Sequence, residues 1–168
     1  MGEKVKNIWN KIKPYILPYS VAIAIPLTVG IASAAITKES MEVYGQLSTP
    51  PLSPPAWLFP IVWSALFILM GISSAMIYID RKKNMESAKK GLIYYCISLA
   101  INFSWSIIFF NLQAAFFALL VLIALIYTVI VTILEYRKVK PIAAYLQLPY
   151  LIWILFAAYL NAGIWILN

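Results

Sequence analysis

Histidine is absent from this chain, and cysteine occurs once, as Cys96. Without histidine the commonest ligand for metals and haem iron is missing, and so are Ser-His and Cys-His nucleophile pairs. One cysteine permits no intrachain disulfide and no Cys-rich metal site, and its thiol reads as helix packing. Charge is scarce as well. Charged residues make up 11% of the sequence, where a soluble globule carries roughly a quarter. What fills the space is apolar: 63% hydrophobic residues and a mean hydropathy of +0.86, in long uncharged runs. That combination excludes a soluble domain and predicts an all-α integral membrane protein with several spans in one domain. The opening MGEKVK does not complete a myristoylation motif, since Lys6 stands where Ser or Thr is needed. The first apolar run is long, contains prolines and shows no distinct cleavage pattern, so a cleavable signal peptide is not expected.

Crossing a hydrocarbon core of ~30 Å takes about 20 helical residues. Five stretches qualify: 15–36, 55–79, 91–110, 114–134 and 142–167. Residues 1–14 form a basic segment before them, and residues 15–168 the membrane bundle. Only Asn111, Leu112 and Gln113 separate spans 3 and 4, which predicts a tight antiparallel hairpin. Lysine and arginine alternate between the connections. The N-terminal segment, second loop and fourth loop hold twelve of them, and Lys38 in the first loop is the only other. The positive-inside rule then places the N-terminus in the cytoplasm and the C-terminus outside, as an odd number of spans requires. The net charge of +7 is thereby a topology signal, and no nucleic-acid partner is implied. Anionic lipid at the cytoplasmic face is compatible with it.

The first loop, 37–55, is stiff. It holds Pro50-Pro51 and Pro54-Pro55, with Pro60 following. Ser53 and Pro54 read as the cap and first turn of span 2, while Thr49 and the first proline pair favour extended backbone. With Leu47, Leu52, Trp57 and Phe59 around them, the segment reads as a cover over the bundle's outer mouth.

No Asp, Glu, Lys or Arg lies well inside a span, which weighs against ion-coupled transporters and proton pumps. Aromatic and amide residues occupy the interior positions. Trp63, Phe67 and Met70 share one face of span 2. Asn102, Trp105, Ser106 and Phe109 share one of span 3, and Pro149, Trp153, Ala157 and Asn161 one of span 5. Such stripes are compatible with lipid contact or packing, the amides with interhelical hydrogen bonds, and all of them with a pocket. Trp57 and Trp165 sit where interfacial anchors belong. Gly71 and Ala75 make a small-xxx-small pair suited to close helix contact, within the chain or in a dimer.

These residues also carry a resemblance. The order Tyr44, Leu47, Pro50, Pro54-Pro55, Val62-Trp63, Leu66-Phe67 and Gly71 resembles the first signature of the TspO/MBR family, the bacterial tryptophan-rich sensory proteins and mitochondrial translocator proteins. "LAINFSWSIIFF" in span 3 and "LPYLIWILFAAYLN" in span 5 continue it in order, from about Pro26 to Asn168. The chain departs from the common pattern at Val43, Thr49, Leu52 and Val121. It also lacks the tyrosine and basic residue of the animal cholesterol motif, having Ala162 and Ile166 there, so steroid binding is not carried over.

The resemblance implies a five-helix bundle, often dimeric, in a bacterial cell membrane. It implies a hydrophobic small-molecule ligand, a porphyrin such as protoporphyrin IX, or haem, held without a tightly bound cofactor or metal. Tyr44 and Pro55 would close the pocket, and Trp63, Phe67, Asn102, Trp105, Ser106, Trp153 and Ala157 would line it. The function implied is tetrapyrrole sensing, with light-dependent porphyrin breakdown beside it; for such breakdown the oxidisable indoles of Trp63 and Trp153 are the expected electron donors. The alternative is transport of porphyrins or similar amphiphiles, against which the absence of coupling charges and of an internal repeat counts.

Overall fold

Backbone groups in hydrocarbon have no water to bond, so each long apolar run closes its own hydrogen bonds as a helix. The computed structural model describes the backbone of all residues except 1, 39 and 41–44, and side chains from residue 13 onward outside that gap. Among the described residues the regular structure is wholly helical. The order is α1 (Gly2–Thr37), α2 (Leu58–Asp80), α3 (Met85–Ser106), α4 (Ala115–Val139), α5 (Pro141–Tyr145) and α6 (Leu148–Leu167). A π turn at Ile107–Asn111 extends α3. Five segments are long and apolar enough to span a membrane, the fifth being α5 and α6 in series. The chain is a multi-pass membrane protein.

Several boundaries differ from the sequence expectation, each for a local reason. Helix α2 begins at Leu58 and not at a Ser53 cap. Consecutive prolines disfavour helical backbone in the residues before them, so the chain enters α2 through a turn bond from Leu58 N–H to the Pro55 carbonyl, 3.0 Å. The Ser53 hydroxyl turns back and donates to the Pro50 carbonyl at 2.7 Å. Nor is the first proline pair simply extended. Leu52 adopts φ 69° in a turn after Pro51, a left-handed conformation costing about 1–2 kcal/mol in a non-glycine residue. Helix α3 starts six residues early because Asn84 caps it, its Oδ1 accepting from the Ser87 N–H at 3.1 Å.

Helix α4 runs on to Val139 and brings Glu135 into the bundle's basic end, where Lys90 at 3.0 Å and Lys138 at 2.9 Å pair with it. Asp80 similarly holds Lys83 and Lys140. The fifth span is broken rather than continuous. Lys140 is extended, α5 lasts five residues, and a turn at Leu146–Gln147 precedes α6. Buried Gln147 fastens that break to α2: its Nε2 donates to Ser73 Oγ at 3.2 Å, and Ser73 Oγ donates to the Ala143 carbonyl at 2.7 Å.

Helix α3 packs along α4, α1 along α2, and α4 against α6. The α1–α2 contact is close because Gly71 has no side chain. A Cβ there would lie 2.5 Å from Ile23 Cα and 2.7 Å from the Ala22 carbonyl oxygen. The small-residue pair is therefore spent inside the chain.

The described part of the first loop is docked on the end of α6. Pro50 fills the notch left by Gly163, where a Cβ would lie 2.5 Å from Pro50 Cγ. Tyr159 OH donates to the Pro51 carbonyl at 2.9 Å. The Asn168 side chain bonds Ser48 twice, accepting from its N–H and donating to its carbonyl, each at 3.0 Å.

Gly71→Ala is expected to lower bundle stability by about 1–3 kcal/mol, the usual cost of overpacking, because the opposing atoms are backbone. Gly163→Ala should leave thermal unfolding in detergent nearly unchanged while speeding proteolysis within residues 45–55. Equal thermal shifts for the two would show that the loop is integral to the bundle.

Candidate ligand-binding cleft

At the end of the bundle where α1 and α6 finish and α2 begins, four helices part around a cleft of about 490 Å³. Small-molecule sites fall within about 300–1,000 Å³. From Asn102 to Phe110 the α3 wall rises about 12 Å at ~1.5 Å per residue. Helix α3 contributes Asn102, Trp105, Ser106, Phe109 and Phe110. Their three- and four-residue spacing keeps them on one face. Trp105 stacks on Phe109 at 5.4 Å and meets Phe110 edge-on at 6.0 Å, giving a rigid aromatic wall. Helix α2 supplies Phe59, Trp63 and Phe67, and α6 supplies Ala157, Leu160, Asn161 and Ile164. The Trp63 ring leans on Phe67 at 5.4 Å and on Tyr150 at 6.2 Å.

The polar groups in this lining are mostly committed to the protein. Asn102 Nδ2 donates to Tyr150 OH at 2.8 Å, and Trp105 Nε1 donates to Asn161 Oδ1 at 3.2 Å. Asn161 Nδ2 in turn donates to the Ala115 carbonyl at 2.7 Å, at the start of α4. Thr37, Ser64 and Ser106 return their hydroxyls to carbonyls of their own helices. A guest in the cleft thus meets mainly apolar faces, with most lining polar side chains already bonded within the protein. Exposed Ile31, Pro60, Ser64 and Lys38 stand on the rim, so this is an open cleft and not a sealed void. Among the described residues the lining holds no carboxylate, and no cluster of His, Cys, Asp or Glu could hold a metal.

Of the residues singled out from sequence, Trp63, Phe67, Asn102, Trp105, Ser106 and Ala157 come together around the cleft. Pro55 does not line it and lies exposed in the loop. Trp153 sits outside the lining, half-buried between Phe59 at 6.0 Å and Phe156 at 5.7 Å. The reason is helical drift. A four-residue step overshoots a turn by about 40° at ~3.6 residues per turn, so Trp153 is rotated about 80° from Asn161. Met70 falls below the cleft, fully buried in the core. Tyr44 lies outside the described residues.

Sequence reasoning missed the whole α1 wall, including Leu27, Gly30, Ile31, Ser33, Ala34, Thr37 and Lys38. One signal was available. Gly30 and Ala34 repeat the small-xxx-small spacing of Gly71 and Ala75, and the Phe67 ring lies against Gly30.

The family model for the TspO/MBR family matches residues 22–166 of this sequence. The chain is 36% identical to the tryptophan-rich protein TspO of Chlorobaculum tepidum, over 91% of this chain and 97% of that one. It is 38% identical to protein CrtK of Rhodobacter capsulatus, over 74% and 78% respectively. The human translocator protein is 30% identical over 90% of each chain.

Replacing the amide that joins three helices should be costly. Asn161→Leu strands the Trp105 N–H and the Ala115 carbonyl, and a loss of about 2 kcal/mol or more follows from the cost of orphaned buried groups. Thermal unfolding followed by Trp fluorescence would measure it, and an unchanged midpoint would show that these bonds are replaced by others.

Proposed function

Since the chain belongs to the TspO/MBR family, we propose that it is a membrane tetrapyrrole-binding sensor or receptor, with a porphyrin such as protoporphyrin IX seated in the cleft. The observation that carries this reading is the lining itself: flat aromatic faces on two helices, small residues opposite them, and few polar groups, most of them bonded within the protein. A planar apolar macrocycle loses little by entering such a site and gains stacking, each aromatic contact adding about 0.5–1.5 kcal/mol beyond burial. Without histidine there is no fixed imidazole for iron, which suits a metal-free porphyrin better than haem. Below the cleft, Met70, Leu99 and Tyr150 close the core. That supports binding over passage through the bundle. The charge asymmetry supports placing the cleft on the outer side, away from the cytoplasm.

Light-driven breakdown is part of the proposal, with its roles redistributed. Trp63, in the cleft wall, passes one electron to the photoexcited porphyrin. This leaves an indole radical cation and a porphyrin radical anion; dioxygen adds to a methine carbon of that anion, and as the electron returns to the indole the O–O bond breaks and the bridge opens as two carbonyls. Tyr150, 6.2 Å behind Trp63, is placed to reduce the indole. Trp153, outside the lining, meets it at Phe59.

Dark titration with protoporphyrin IX, followed by Trp quenching, tests the binding. Wild type should quench saturably, and Ala157→Phe, which fills the cleft, should weaken binding at least tenfold. Binding indifferent to that substitution would place the porphyrin elsewhere and end this reading. Under illumination, Trp63→Phe should slow porphyrin loss more than Trp153→Phe does. The reverse order would reject the electron-donor assignment.

A further inference from the structure

Among the described residues Lys38 is the one charged side chain on the cleft lining. It follows directly on the last residue of α1, at an end of the bundle that holds no other lysine or arginine among the described residues; Glu39 and Glu42 of the same loop lie outside the described residues. Every other lysine and arginine from residue 80 onward lies at the opposite end, where Glu135 and Asp80 take up four of them. Among the described residues none pairs with Lys38. The neighbouring lining points the same way. Thr37, Ser64, Ser106, Asn102 and Asn161 each donate a hydrogen bond within the protein, and the ammonium is the one charged donor that the described lining offers a guest.

From this placement we infer that Lys38 selects ligands with an anionic edge, a carboxylate above all, which it holds at the rim while the apolar body occupies the cleft between Trp105 and Ala157. The inference rests on reading the cleft as a ligand site. It adds the orientation of the guest and the chemistry that distinguishes accepted from rejected molecules. An ammonium carries three donors and suits a carboxylate as a point charge. At an exposed rim the pair is screened by water, so its effect is selectivity and not most of the affinity. A flat amphiphile with its acid groups on one edge satisfies both halves of the site. A fully esterified analogue satisfies only the apolar half.

The test uses the full chain in micelles of a neutral glycoside detergent, which contain no headgroup phosphate to compete. Protoporphyrin IX and its dimethyl ester are titrated in the dark against wild type, Lys38→Met, Lys38→Arg and Ala157→Phe. Wild type should prefer the free acid, and Lys38→Met should erase that preference. A weakening of about three- to fivefold for the acid, with little change for the ester, is the size expected of a partly exposed ion pair. Lys38→Arg should restore the preference, and raising the salt concentration should reduce it in wild type. Equal wild-type affinity for acid and ester, or an equal loss for both in Lys38→Met, would overturn this inference and leave the cleft reading standing. If both porphyrins bind wild type and Ala157→Phe alike, the cleft reading falls and the Lys38 assignment with it.

Discussion

The interaction on which the rest of the arrangement depends is the bond from the Trp105 indole to Asn161, carried on by the Asn161 amide to the Ala115 carbonyl. A polar group in a membrane bundle has nowhere to go except another part of the protein, so each one fixes the position of its partner. Asn161 therefore sets α6 against both α3 and the start of α4. Asn102, one turn deeper on α3, does the same with Tyr150. Together the two amides tie α3 to α6 through side chains at two levels. The cleft lies above them, among these two helices, α1 and α2.

Small residues then decide where helices touch and where they part. Gly71 lets α1 lie on α2 at backbone distance, which closes the lower half of that pair. Higher up, Gly30 and Ala34 on α1 and Ala157 on α6 leave room in front of the aromatic rings of α2 and α3. Gly163 receives Pro50 and anchors the first loop on α6. The paired prolines are then explained by docking. A stiff segment loses little conformational entropy when held, and three hydrogen bonds to Tyr159 and Asn168 hold it. None of the described loop residues 45–57 forms part of the cleft lining, so whatever the loop does for a ligand it does through the end of α6.

Much of this could be read before the coordinates. Hydropathy found five spans because helix in lipid is a requirement of the backbone and not a preference of particular side chains. The α3 stripe could be read because its three- and four-residue spacing matches the helical period. Strict four-residue spacing misled on α6, where Trp153 drifts off the face that Ala157 and Asn161 share. The Ser53 cap failed because two prolines in succession push the helix start beyond Pro55, an effect of local backbone that outweighs the capping preference. The break before α6 was invisible because Gln147 is stabilised by Ser73, seventy-four positions away.

What the sequence determined by itself, then, was the solvent and the class of architecture. Scarce charge, long apolar runs and the one-sided distribution of lysine and arginine act through the bilayer, a medium that treats each segment almost independently. What only the tertiary structure decided was which groups stand together. The α1 wall, the bonds that the two amides make and the place of Lys38 on the rim of an apolar cleft all depend on contacts between segments far apart in the chain. Periodicity places a side chain on its own helix, but it carries no information about which helix will face it.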